Sequence, residues 1–112
     1  MAEETMISIS RFSTPEITID VPLDLRSANV FITFKQNGKK VLELSSFNPN
    51  VIVNADTIVI KLTQTNTSKF LPSKLEFEIE YIFPDGSRDN SNALKALVDD
   101  TFKDEILTYV SG

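Results

Sequence analysis

Strict alternation of apolar and polar side chains, repeated in one segment after another, limits how this chain can fold more than any other feature. Leu75, Phe77, Ile79, Tyr81 and Phe83 are separated by Glu76, Glu78, Glu80 and Ile82. The same period of two sets Ile17, Ile19 and Val21 against Glu16, Thr18 and Asp20, and Val30, Ile32 and Phe34 against Phe31, Thr33 and Lys35. It returns in Ile58, Ile60 and Leu62, set against Val59, Lys61 and Thr63. In an extended backbone successive side chains point to opposite faces, so each segment offers one apolar and one mostly polar face. β-branched and aromatic residues crowd these runs, as strands prefer.

Turn chemistry separates the runs. Asn37-Gly38 lies between residues 30–34 and 40–44, and this pair signals a tight hairpin because both central residues must reach positive φ. Pro84, Asp85, Gly86 and Ser87 form a second turn, with Pro fixing φ and Gly admitting the left-handed region. Loops are expected at Val21-Pro22-Leu23-Asp24 and at Phe47-Asn48-Pro49-Asn50. Asn54-Ala55-Asp56 links a short run at 51–53 to the strand at 57–62.

The polar stretch 63–70 reads as one irregular or helical turn crossing between sheets, ending before Pro72. Residues 91–110 are ambiguous. Ala93, Leu94, Leu97, Val98 and Phe102 have helical spacing, yet Leu94, Ala96 and Val98 also alternate with Lys95, Leu97 and Asp99. A strand after the Pro-Asp-Gly turn is favoured, because residues 75–83 need a hairpin partner, with a short terminal strand or helix over 101–110. Seven or eight strands with one apolar face each bury those faces most simply in two packed sheets. The expectation is a single all-β domain over residues 6–112, a two-sheet antiparallel β-sandwich of immunoglobulin-like or jelly-roll-like type. Residues 1–5 are expected to form a flexible leader, having no periodic apolar pattern.

A chain of 112 residues with 41% hydrophobic composition is long enough for one such core without disulfides or metals. Its net charge of -5 does not suit nucleic-acid binding, which draws on a basic field to release phosphate counterions. No apolar run approaches the length of a membrane span, and the start lacks the basic and apolar regions of a secretory signal. No membrane partner is expected.

The chain has no Cys and no His, so the usual nucleophile–base pairs and thiolate zinc sites cannot be built. Only three glycines are present, without the spacing of a phosphate-cradling loop. No catalytic residue, cofactor or metal is expected. Two acidic groups come nearest to chemistry. Glu76, Glu78 and Glu80 share a strand face, about 6.6 Å between neighbours. They read either as a solvated stripe paired with Lys35, Lys61 or Lys40, or as a hard-cation site or small catalytic group. Asp85, Asp89, Asp99, Asp100, Asp104 and Glu105 form the second group; Asp85 belongs to its turn, and the spacing matches no EF-hand loop. Paired carboxylates for glycoside hydrolysis lack a cleft or a Trp platform to work with.

Phe31, Val59 and Ile82 are apolar residues on otherwise polar faces. They mark either faces that are covered within the domain or a patch that contacts a partner. A carbohydrate-binding sandwich is the alternative from another class; it would stack sugars on exposed rings, but Trp is absent and Tyr81 is expected inside, leaving Tyr109.

The order of motifs carries a resemblance. Ser13-Thr14-Pro15 leads to Val21-Pro22-Leu23-Asp24, then to the run 30–42 with its Asn37-Gly38 turn. The pattern continues through 57–64, Phe70, the strand at 75–81, Asp85-Gly86 and Asp104-Glu105-Ile106-Leu107. From about Ile9 onward the chain resembles small uncharacterised proteins of phages and prophages of Gram-positive bacteria. It is also similar to the N-terminal domain of the phage baseplate upper protein. The resemblance implies a β-sandwich in a tail- or baseplate-associated setting, with a virion or a host cytoplasm as the expected location. The partner would be another virion protein or a second copy of the chain.

Overall fold

The alternating segments become strands because only a pleated backbone puts every second side chain on one face. The computed structural model describes residues 7–91 and 93–110, so the leader expected over residues 1–5 lies outside the described residues. In chain order the elements are β1 (Ile7–Ser10), β2 (Glu16–Asp20), β3 (Asn29–Gln36), β4 (Lys39–Ser45), β5 (Val51–Val53), β6 (Thr57–Lys61), α1 (Gln64–Ser68), β7 (Lys74–Ile82), β8 (Arg88–Asn90) and β9 (Leu94–Asp99).

Two sheets form. One has the order β1-β9-β7-β3-β4, with β8 also on β7; the other has the order β2-β6-β5. Two facing sheets connected in this order make an immunoglobulin-like sandwich. The inner faces supply one core: Val30, Ile32, Phe34, Leu75, Phe77, Ile79 and Tyr81 from the larger sheet meet Ile17, Val51, Ile58 and Ile60 from the smaller. At its centre Phe34 stacks on Phe77 (5.1 Å between centroids) and leans on Phe70 (5.7 Å).

Nine strands stand among the described residues where seven or eight are expected, because β1 is an additional edge and the partner of β7 is split into β8 and β9. One pairing departs from an antiparallel sandwich: β1 runs parallel to β9, with Ile7 beside Ala96 and Ser10 beside Asp99. A parallel pair cannot be closed by a hairpin, and here the whole domain is the connection. Over residues 94–99 alternation prevails over helical spacing, with Ala96 and Val98 buried and Lys95 and Leu97 exposed.

The turns follow their residues. Asn37 and Gly38 both hold positive φ, 52° and 76°, as the tight hairpin requires. Helix α1 carries the chain from the smaller sheet to the larger. Thr63 caps it: its hydroxyl accepts from the Asn66 N–H at 3.1 Å, and the Asn66 side-chain oxygen accepts from the Thr63 N–H at 2.9 Å. Thr67, fully buried, donates its hydroxyl to the Ser13 carbonyl at 2.8 Å. Residues 100–110 form neither the strand nor the helix expected at the end of the chain.

Candidate functional site

Alternation decides which side of a strand a residue faces, and the topology decides which sheet that side belongs to. Phe31 on β3 and Ile82 on β7 point outward from the larger sheet, where Phe31 pairs with Glu80 and Asn29 with Ile82. They are diagonal neighbours lining one shallow depression with Thr33, Glu43 and Arg88. Phe47, 71% exposed on the loop after β4, meets Phe31 edge to face at 6.4 Å. Ile82 is 38% exposed. Val59 stands elsewhere: it faces outward from the smaller sheet, between Thr18 and Ile52. The three residues therefore form two surfaces on opposite sides of the sandwich, roughly 10 Å of packed sheet apart.

The acidic stripe lies on the outer face of β7. Glu76 stands beside Lys35 on β3 and Lys95 on β9. Glu78 accepts from the Asn90 amide at 3.2 Å, and Glu80 is ion-paired with Arg88. Lys61 instead faces Glu16, and Lys40 pairs with Glu43 at 3.6 Å. Among the described residues no group of three or more acidic side chains is arranged to hold a metal ion. Among them, too, no helix is long and apolar enough to cross a membrane. Tyr81 is buried, and desolvation pushes its phenol above the usual value. Tyr109, 90% accessible, is an exposed ring, as are Phe102 and Phe47.

The second acidic group is divided by its partners. Asp85 accepts from the Ser87 N–H and hydroxyl, which lowers its pKa. Glu105 pairs with Lys103 at 2.8 Å. Asp100 and Asp104 converge on Arg11, at 2.9 and 2.8 Å. The same guanidinium donates to the Phe70 carbonyl at 2.7 Å and to the Ser68 carbonyl at 3.2 Å. Arg11 thus ties the end of α1 to the segment after β9. Gln64 adds a second tie, its amide donating to the Leu107 carbonyl at 2.8 Å and accepting from the Leu107 N–H at 2.7 Å.

Sequence reasoning missed what these ties present. Residues 100–110 are held by polar groups while Phe102, Ile106, Leu107, Tyr109 and Val110 remain exposed. The run Ile106, Leu107, Thr108, Tyr109 and Val110 is rich in strand-favouring residues. That composition was the available signal, together with the absence of an alternating polar set to mark one face as solvated.

The ties predict a pH response. The Asp100 carboxyl is held below its ordinary value, first by the Thr101 N–H and then by the Arg11 guanidinium. A lowered folded pKa stabilises the folded arrangement above the unfolded carboxylate value of about 3.9 and loses that contribution as pH falls through the folded value. The carboxyl resonance of Asp100 is expected to titrate with a midpoint below about 3.9. Arg11→Gln should move that midpoint upward. A midpoint unchanged by the substitution would contradict the role given to Arg11.

No family model and no curated protein matches this chain. Among solved structures the chain is similar to the V domain of amphioxus IgVJ-C2, at 12% identity and a TM-score of 0.35, over 83% of this chain and 99% of that chain.

Proposed function

We propose that this chain is a non-enzymatic assembly domain that works through protein–protein contacts. One observation carries the reading. The core is closed by two sheets, yet a contiguous C-terminal segment keeps five large apolar side chains in water. A run of large apolar side chains left exposed in this way is where another protein can bind. The outward cluster of Phe31, Phe47 and Ile82 adds a second surface on the larger sheet. The setting proposed, from the resemblance in sequence, is a phage or prophage virion, at its tail or baseplate. The partner is another virion protein or a second copy of the chain.

Light scattering on a sizing column over a concentration series tests the reading. Mass is expected to rise with concentration, and Phe31→Asp to weaken the association, because a carboxylate would have to be desolvated at the contact. A chain that stays monomeric at its highest soluble concentration, with Phe31→Asp indistinguishable from it, would count decisively against self-assembly.

A further inference from the structure

The C-terminal segment has the makings of a strand that lacks a sheet. Its residues favour extended structure. The backbone groups of Ile106, Thr108, Tyr109 and Val110 make no hydrogen bond to another described residue. Leu107 shows what the segment accepts: Gln64 satisfies both its N–H and its C=O, as a neighbouring strand would.

The sandwich also has open edges. β5 spans only Val51–Val53, and β1 only Ile7–Ser10. β2 carries Glu16 and Asp20, which would repel an acidic strand. β4 is the longest edge, Lys39–Ser45, and among the described residues no strand covers its outer side. The core side chains it supplies, Leu42 at 7% and Leu44 at 6%, are the most accessible in the core.

We infer that residues 104–110 of one copy add as a parallel strand to β4 of a second copy. This rests on the assembly reading above and names the partner. Parallel alignment brings Asp104 and Glu105 to the end of β4 that carries Lys39 and Lys40, across Val41, the extra β4 residue that the register with β3 leaves unpaired. Leu107 and Tyr109 then fall next to Leu42 and Leu44 and extend the inner layer. Antiparallel alignment would set Val110 against the lysines and forfeit the charge match. The two lysines guard an edge that would otherwise pair indiscriminately, and they favour an acidic strand. β4 of the same chain lies at the opposite end of the sheet from the β1–β9 edge where the segment leaves. Strand addition draws its affinity from main-chain hydrogen bonds and its selectivity from alternate side chains.

The chain contains no cysteine, so a single engineered pair reports the register cleanly. Glu43 lies beyond the irregularity near Phe34 and Lys35, in the regular part of β4, and the alignment sets it opposite Thr108. Parallel neighbours stand about 4.8 Å apart, within reach of a disulfide. Mixing Glu43→Cys with Thr108→Cys under mild oxidation is expected to give a cross-linked dimer containing one of each. Lys39→Glu with Lys40→Glu should weaken association about tenfold, and adding Asp104→Lys with Glu105→Lys should restore it. Association that survives truncation after Glu105, with no 43–108 cross-link in the full-length mixture, would overturn this contact and leave the assembly reading standing. A strict monomer would overturn both. If the double variant Glu43→Cys, Thr108→Cys closes its disulfide within one chain without dimer, the edge is occupied in cis and the inference falls.

Discussion

Replacing Phe34 with alanine is expected to remove about 3–5 kcal/mol of folding stability. The ring is fully buried, stacks on Phe77 and touches Phe70, which joins the larger sheet to the crossover through α1. Truncation costs the transfer free energy of the ring and leaves a cavity beside Phe77 and Phe70. A domain of this size has only about 5–15 kcal/mol in total, so the variant should be partly unfolded at modest temperature. Urea denaturation should show a lower midpoint with an unchanged slope. A loss below about 1 kcal/mol would mean that the ring is not packed against Phe77 and Phe70 as described.

Gln36→Met should cost about 2–4 kcal/mol, although it preserves length and bulk. Gln36 is only 3% exposed. Its amide donates to the Leu71 carbonyl at 2.8 Å and to the Ser73 hydroxyl at 3.2 Å, and its oxygen accepts from the Leu71 N–H at 2.8 Å. The thioether can replace none of these, and two backbone groups lose their partner at about 1–3 kcal/mol for each one kept from water. Hydrogen exchange at the Leu71 amide reads the loss directly, alongside urea denaturation. Gln36→Glu makes an informative companion. Burial raises the carboxyl pKa, so the folded state binds the proton more tightly than the unfolded chain. Its stability deficit relative to the parent should therefore shrink as pH falls through the raised value, where the protonated acid can donate to Leu71. A Leu71 amide equally protected in both variants would show that Gln36 does not hold this crossover.

Much of the architecture was legible because period two is a local property. The alternation over 75–83 produced β7, and Asn37-Gly38 produced the hairpin whose φ values it requires. The crossing turn at 63–70 became α1, capped by Thr63. What escaped depended on distant partners. Val59 faces outward as its phase implied, but nothing along β6 reveals that its sheet is not the one bearing Phe31 and Ile82. The parallel β1–β9 pair joins residues about ninety positions apart. Residues 101–110 lack the expected element and are tied instead by Arg11 and Gln64, polar side chains far away in sequence. In sequence Gln36 belongs to the Asn-Gly turn, and its burial follows only from the return of Leu71 across it.

The way β1 lies along β9 also fixes how the domain would respond to tension. Ile7 is level with Ala96 and Ser10 with Asp99, and the Arg11 N–H extends the ladder to the Asp99 carbonyl at 2.9 Å. Pulling backward on the first strand and forward on the last would slide them past each other lengthwise. The slanted bonds of a parallel pair would then be loaded together, whereas a hairpin pulled from its open end gives way one bond at a time. Resistance to such a pull is governed by the unfolding rate and not by equilibrium stability. The clasp between the two end strands is thus the part of the molecule suited to bearing load along the chain.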